Sequence, residues 1–287
     1  MGRLDERGKV WGNRTMDREE LRGSVMYRTL SKLCEQGIVS PKDSFLLVFA
    51  GDFDRRVFEE LGFRNYELTN VHGPRAHEPT VETADARSLP YPDESYDHVV
   101  AHAGIHHTSR PHQAVCEMYR CARKTAIFLE AQDSVPMRIA VRLGLVAEYE
   151  WNVIFDSGFS RGGVDDRPIP NHVYRWTSRE LIKLLKSLDP TVEPTVTLFR
   201  EWNVPFTRLA RRPQRSPLRW IPPSVATRIF AFLGKALNFL LGHSGNSFAA
   251  CIQKNRAKTK PWIVTTLGAP TFDSTSVTPP SSFSTPF

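Results

Sequence analysis

Two adjacent histidines, His106 and His107, are the residues of this chain best suited to catalysis. Histidine exchanges protons near neutral pH, so either one could act as a general base. The competing interpretation is that the two histidines only end a strand and hydrogen-bond to the backbone. A metal site is a further alternative, because His102 stands four residues before His106. Gly104 and the strand pattern argue against a helix there, no acidic ligand is obvious, and we expect no metal.

A carboxylate that could recognise adenine precedes these histidines. Asp85 is followed by Ala86, so the carboxylate could accept from an exocyclic amino group while the next backbone N–H donates to a ring nitrogen. The alternative is an ordinary turn residue, since Asp is common in turns. The stretch Leu89–Asp97 reads LPYPDESYD and leads through a proline-punctuated turn into a strand that ends in small residues and histidines.

This order of motifs resembles the middle of the class I S-adenosylmethionine (SAM)-dependent methyltransferases, whose usual stretch reads LPFPDxSFD. The resemblance implies that Asp85, Ala86 and Arg87 border the adenine of SAM, and that His102 and Ala103 border the methyl donor. It implies SAM as the cofactor and a small-molecule acceptor that is methylated on oxygen, nitrogen or carbon. A histidine after the strand would then help the acceptor.

The turn after the first strand departs from the family pattern. The family has GxGxG there, because glycine lets the backbone approach the methionine part of SAM, whereas residues 50–54 read AGDFD. This turn resembles a divergent branch that reads roughly GGxYDR, in which an Asp followed by a helix replaces the glycines. The resemblance implies that Ala50 and Gly51 approach SAM and that Asp52 accepts from its α-ammonium group. Asp54 either joins them or caps the next helix.

The end of the second strand also departs from the family pattern, which places an acidic residue there to hold both ribose hydroxyls. Asn70 or His72 occupies this place and could make one hydrogen bond instead of two. Two alternatives therefore stay open beside a normal enzyme: a weakened enzyme, or a catalytically inactive methyltransferase-like scaffold or partner subunit.

Apolar runs that alternate with helical periodicity predict parallel βαβ units. The expected fold class is α/β, with a Rossmann-like, doubly wound, seven-stranded, mostly parallel sheet, an antiparallel last strand and three layers (α/β/α). Ligands of such sheets bind beyond the carboxyl ends of the strands. The predicted strands are Phe45–Ala50, Tyr66–Val71, Glu82–Asp85, Tyr96–Ala101, Ala126–Glu130, Val192–Trp202 and Asn246–Lys254. One or two helices are predicted within 14–37, and further helices at Arg55–Leu61 and Ala226–Leu241. Another helix should follow a cap at Thr108 or Ser109, and another should run from a cap at Thr177 through Leu188.

The same signals divide the chain into segments. They are an N-terminal helical cap (1–39), a methyltransferase domain (40–255) with a lid (156–172) and a helical insertion (208–242), and a Ser-, Thr- and Pro-rich tail (256–287). We expect the tail to be disordered. Tyr174 and Arg175 follow the lid and could line the acceptor pocket, because they combine an aromatic wall with a fixed charge.

The formal net charge of the 287-residue chain is +7, and residues 208–219 are rich in arginine. A solvated basic loop is one interpretation, and contact with nucleic acid or an anionic membrane is the other. An RNA-modifying or RNA-binding protein is therefore a third hypothesis, although no RNA-binding motif is present. Peripheral membrane contact through 208–241 is a further expectation, but apolar positions nearly surround this helix, which favours burial or a cover over the substrate pocket.

Several other features indicate a cytoplasmic protein. No apolar run reaches the ~18 residues of a membrane-spanning helix. The charged N-terminus lacks the apolar region of a signal peptide. The four cysteines form no CxxC pair and no zinc spacing, so reduced thiols are the simplest account.

Overall fold

A computed structural model describes residues 17–73, 80–203, 223–254, 260, 263–266, 269–273 and 275. The central sheet is built from β1 (Phe45–Val48), β2 (Tyr66–Asn70), β3 (Val81–Thr83), β4 (Tyr96–His102), β5 (Ala122–Ala131), β6 (Thr195–Glu201) and β7 (Ser247–Gln253). Its strand order is β3-β2-β1-β4-β5-β7-β6. Strand β7 is antiparallel to both neighbours, and the other pairs are parallel. The predicted seven-stranded, mostly parallel sheet with an antiparallel last strand is confirmed.

Helices flank this sheet and begin at residues that suit helix starts. The helices in the described residues are α1 (Arg18–Arg22), α2 (Val25–Glu35), α3 (Asp52–Glu60), α4 (Pro111–Cys121), α5 (Val135–Arg142), α6 (Trp151–Asp156), α7 (Ser178–Leu188) and α8 (Pro223–Leu241). The Thr177 hydroxyl accepts from the Glu180 N–H at 3.1 Å, which is the predicted cap of α7. The Ser24 hydroxyl caps α2 in the same way.

The strands alternate their side chains between two apolar cores, as the two-residue period of a strand dictates. Phe45 and Leu47 of β1 pack with α2 and α3 on one face. Leu46 and Val48 pack with α4, α7 and the buried Trp176 on the other. The sheet is thus covered on both faces, which gives the expected three layers. The expected N-terminal cap belongs to the first of these cores through α1 and α2.

Among the element boundaries that differ from the sequence prediction, three lie beside candidate site residues. Strand β3 ends at Thr83, so Asp85 lies in the loop after it. Helix α3 begins at Asp52 with Gly51 as its N-cap, so Asp54 is its third residue and not its cap. Helix α4 begins at Pro111 after Arg110, and neither Thr108 nor Ser109 caps it. Proline is favourable in a first helical turn because it lacks only an N–H that would be unpaired there.

The C-terminal segments differ more. Strands β8 (Ile263–Thr266) and β9 (Ala269–Phe272) form an antiparallel hairpin within 256–287, where we expected disorder. All four residues of β8 are β-branched, which favours a strand. The arginine-rich residues 208–219 lie outside the described residues.

Helix α8 is also less buried than its sequence suggests. Phe232 and Phe239 are 71% and 89% exposed, so the expectation of burial is wrong for this face. The helix is held at its end, where the Asn238 amide and the Trp202 backbone exchange hydrogen bonds. Peripheral membrane contact through 208–241 stays a prediction. In the described part of the chain, no helix is both long and apolar enough to cross a bilayer.

The strand order creates a crevice between the carboxyl ends of β1 and β4. These strands are neighbours, and the chain winds away from them in opposite directions, which is where open α/β sheets bind ligands. Phe49 follows β1 and Ala103 follows β4, both with left-handed backbone (φ 57° and 49°). A Cβ atom on Gly104 would lie only 2.2 Å from the Cβ of Phe49, so glycine is required for the two loops to touch.

The Gly104→Ala substitution should therefore destabilise the protein by about 1–3 kcal/mol, the usual cost of overpacking. Urea unfolding measures this loss. The Gly242→Ala variant is the control, because a Cβ there would meet its nearest neighbour at an ordinary 3.9 Å. Equal stability of the two variants would contradict the required close approach of the loops.

Candidate functional site

The loop after β1 is locked to the end of β4 by Asp54. One oxygen of this buried carboxylate accepts from the Gly51 N–H at 2.9 Å. The other lies 3.2 Å from Nδ1 of His102, whose ring also stacks against Phe53 at 5.1 Å. The predicted donor residues of β1 and β4 are thus brought together, and Asp54 holds them in place.

Three other predicted donor residues also take part in structural contacts. The Asn70 amide donates to the Ala50 carbonyl at 3.1 Å, which ties the end of β2 to the β1 loop. Nδ1 of His72 lies 2.6 Å from the Gly73 carbonyl. Asp52 forms an ion pair with Arg55 in the first turn of α3. The described residues therefore place no carboxylate at the end of β2, in agreement with the sequence.

Asp85 is held by the arginine two residues after it. The Arg87 guanidinium donates to both oxygens of Asp85, at 2.6 Å and 2.9 Å, and the Arg87 N–H donates to one of them. These bonds from Arg87 outweigh the effect of burial and lower the pKa of Asp85. Forty per cent of the Asp85 side chain stays exposed, so the carboxylate remains accessible from the crevice.

The same arginine connects the loop that carries Asp85 and Arg87, called here the Asp85 corner, to the lid. Nη1 of Arg87 lies 2.7 Å from Asp165, and Asp165 also accepts from the Ser109 N–H at 3.0 Å. Asp165 and its neighbour Asp166 both have left-handed backbone. Such conformations persist only where surrounding contacts hold them. The lid is therefore fixed over the Asp85 corner by specific polar contacts.

A histidine–glutamate cluster (His106, His107, Glu130 and Glu150) follows β4. Nδ1 of the buried His106 lies 2.5 Å from Glu130, whose side chain is completely buried. Glu130 also accepts from the Ile105 N–H at 2.8 Å. One oxygen of Glu150 is 3.5 Å from Nε2 of His106, and its other oxygen is 3.4 Å from Nε2 of His107. The two candidate catalytic residues thus share a carboxylate.

The two imidazoles of the cluster differ in charge. Burial alone would lower the pKa of His106, but Glu130 and Glu150 outweigh it and raise this pKa to about 10. Burial and the neighbouring charge of His106 lower the pKa of His107. The contact with His106 also lowers the pKa of Glu150 to about 2. At neutral pH His106 is therefore charged, and His107 is the imidazole with a lone pair to accept a proton.

Other histidines of this region are explained by packing. His98 is buried between Thr125 and Asp43 at the opposite end of β4. Nε2 of His112 lies 2.7 Å from Glu180, and this contact links α4 to α7.

The predicted acceptor residues are used in similar structural contacts. The Tyr174 hydroxyl bonds to Glu180 and lies 3.3 Å from His112. Arg175 donates to the carbonyls of Ala147 and Val173, and burial lowers the pKa of its guanidinium. Their role in acceptor binding stays a prediction.

Sequence reasoning missed three residues of the site: Glu130, Glu150 and Asp165. Glu130 carried a signal, because it is a charged residue inside the apolar run of β5. Glu150 precedes α6 and Asp165 lies in the lid, and their partners are remote in the sequence. The acidic group that seemed absent beside the histidines is therefore present in three dimensions.

A cavity of about 510 Å³ borders Gly51 and Asp52 but extends away from the histidines. It continues along β2 and β3, past Glu67 and Glu82. It adjoins the predicted donor loop at Gly51 and Asp52, but its lining includes neither Asn70 and His72 nor the histidine–glutamate cluster.

Comparisons with known proteins find one family model and a number of solved structures that are similar to this chain. Residues 60–129 match a family model described as a methyltransferase domain. No curated protein matches the sequence. A SAM-dependent methyltransferase of Thermotoga maritima, described as a possible histamine N-methyltransferase, is 16% identical, with a TM-score of 0.43 over 83% of this chain and 95% of that one. A SAM-dependent methyltransferase of Archaeoglobus fulgidus is 15% identical, with a TM-score of 0.44 over 82% of this chain and 97% of that one.

The Glu130→Gln substitution should destabilise the protein by about 3 kcal/mol at pH 7, because it leaves a buried charged imidazole without its main partner. The folded-state pKa of His106 is raised to about 10, so its contribution is complete below about pH 6.5 and is lost as the pH rises towards 10. In the Glu130→Gln variant, the free energy of unfolding should fall much less as the pH rises from 6.5 to 10.

Urea unfolding at several pH values between 6 and 10 measures both effects. The exposed Glu193 provides the control variant, Glu193→Gln. An equal loss of stability in the two variants, or an unchanged alkaline decline after Glu130→Gln, would contradict the charged state of His106.

Proposed function

We propose that this chain, which belongs to the class I SAM-dependent methyltransferases, transfers a methyl group from SAM to a small-molecule acceptor beside His106 and His107. Membership rests on the matched domain model and on the sheet with its antiparallel β7. One observation carries the proposal: the strand order brings the Asp85 corner, the β1 loop and the histidine–glutamate cluster to the same edge of the sheet.

The described residues fit SAM at two of its three parts. Asp85 remains accessible and would accept from the adenine amino group, with Ala86 beside it. Gly51 has extended backbone at the start of α3, next to Asp52, and would approach the methionine part. The ribose lacks its usual carboxylate partner at the end of β2. SAM would supply an electrophilic methyl group on a sulfonium, so the protein has to bind, align and exclude water.

The cluster after β4 supports an acceptor site at this position. His106 already holds its proton, so it orients the turn and adds a fixed positive charge. His107 is neutral at pH 7 and 28% exposed, and its Nε2 can take a proton from an acceptor hydroxyl or amine. Of the two histidines considered as bases from the sequence, only His107 keeps this role.

The lid supports a small acceptor rather than a polymer. Asp165 joins the lid to Arg87 and Ser109, and the Gly162 backbone bonds to His107. These contacts close the crevice above the histidines and would exclude water during transfer.

An inactive methyltransferase-like scaffold is the second candidate function. Its support is that the carboxylates of Asp52 and Asp85 are already paired with Arg55 and Arg87. SAM would have to share these carboxylates with the arginines. The two candidates differ in whether the adenosyl ligand binds.

Calorimetric titration of S-adenosylhomocysteine into the wild type and Asp85→Asn should separate them. We expect binding to the wild type and at least tenfold weaker binding to the variant, about 1.4 kcal/mol, because the amide NH₂ opposes the adenine amino group. Asp93, which is 75% exposed and paired with Arg120, gives the control Asp93→Asn. Absence of wild-type binding, or equal affinity of the two variants, would refute the proposed donor site.

Transfer from labelled SAM to a panel of small hydroxyl and amine acceptors tests His107. The wild-type rate should fall as the pH drops below the depressed pKa of His107, since only the neutral ring accepts a proton. His107→Gln should reduce transfer at least tenfold at pH 7, whereas the control His112→Gln should not. A wild-type rate with no acidic limb, together with full activity of His107→Gln, would exclude this proton transfer.

A further inference from the structure

We propose that His106, His107 and Glu150 bind a divalent cation of the zinc class, with Glu130 orienting His106. The three side chains offer two imidazole nitrogens and a carboxylate oxygen that all lie within 4.8 Å of one another. Such donors suit zinc and related transition metals. The cation site stands without the proposed function, and only its consequence for the acceptor rests on that function.

The spacing of the donor atoms is close to what a tetrahedral cation needs. Ligands at about 2.0–2.1 Å from zinc lie about 3.3 Å apart along the edges of a tetrahedron. Glu150 lies 3.5 Å from Nε2 of His106 and 3.4 Å from Nε2 of His107. Each distance involves a different Glu150 oxygen, so the carboxylate has to rotate before one oxygen serves both edges. The His107 ring is the more exposed of the two and can rotate to shorten the third edge.

Glu130 fixes His106 in the form that a metal requires. Its carboxylate binds Nδ1 at 2.5 Å, which keeps the proton on that nitrogen and turns Nε2 towards His107 and Glu150. Carboxylate–histidine–metal arrangements of this kind are usual around protein-bound zinc. The Nε2 atom is itself buried; among the described residues it makes no hydrogen bond of good geometry, and the nearest Glu150 oxygen lies 3.5 Å away. A buried polar atom in this state is costly, and a cation would satisfy it.

The charges of the cluster also favour a dication. Glu130 and Glu150 place two carboxylates against the two imidazoles. Two neutral imidazoles, two carboxylates and a dication sum to zero, and a metal ligand must be deprotonated.

The three protein ligands would leave a fourth position for the acceptor. Three ligands plus an open position is the arrangement of catalytic zinc sites. The predicted acceptor class is a small molecule with a hydroxyl or carboxylate oxygen that fills this position. In the loaded protein His107 is a ligand, and the increased acidity of a coordinated hydroxyl replaces the base described for the protein alone.

Titration of the metal-stripped full chain with Co²⁺, followed by displacement with Zn²⁺, tests this site. We expect one Co²⁺ per chain and a visible absorption band of tetrahedral Co²⁺ that disappears when Zn²⁺ displaces it. Glu150→Gln and His107→Gln should each weaken binding more than tenfold. Glu130→Gln should weaken it about 10–100-fold, the usual effect of losing the carboxylate behind a histidine ligand.

His112→Gln is the matched control, because His112 and Glu180 form a surface pair outside the cluster. This variant should bind Co²⁺ like the wild type. Absence of a visible band in the wild type, or equal affinity in Glu150→Gln and His112→Gln, would overturn the site. The band and the stoichiometry are measured on the wild type, so the test holds even if a variant fails to fold. Loss of S-adenosylhomocysteine binding alone would instead count against the proposed function.

Discussion

The ion pair between His106 and Glu130 is the interaction on which the rest of the site depends. Both side chains are buried, and their atoms lie 2.5 Å apart. Because Glu130 also accepts from the Ile105 N–H, one carboxylate holds both the backbone and the ring of the turn after β4. Loss of either partner would leave an uncompensated buried charge, at a cost of several kcal/mol. The sheet therefore fixes the position of the histidines, and Glu150 completes the cluster from the segment before the lid.

A second network of polar contacts crosses the same crevice at the Asp85 corner. Arg87 binds Asp85 on one side and Asp165 of the lid on the other. The two networks are built alike. In each, a cation lies between two carboxylates: His106 between Glu130 and Glu150, and Arg87 between Asp85 and Asp165. Binding of an adenosyl ligand at Asp85 would alter the contacts of Arg87. If Asp85 holds the adenine as proposed, the position of the lid and the occupancy of this site would be coupled through Arg87.

The sequence predicted what depends on local patterns. Apolar runs marked β1 and β5, Thr177 marked the start of α7, and Asp85 was expected close to the end of β3. Long-range polar pairs have no such periodicity. His106 and Glu130 are 24 residues apart, and Ser109 and Asp165 are 56 apart. The local sequence around each residue does not identify its partner, so Glu130 and Glu150 were missed. The exposed apolar face of α8 was missed for a related reason, because composition favours burial but does not say what covers a helix.

A crystal structure of the chain with S-adenosylhomocysteine tests the central claim most directly, which is that one edge of the sheet holds the donor and faces the histidine–glutamate cluster. The account predicts the adenine amino group within hydrogen-bond distance of Asp85, the homocysteine part against Gly51 and Asp52, and the sulfur directed towards His106 and His107. A ligand bound elsewhere, or no ligand at a saturating concentration in a well-ordered crystal, would contradict it.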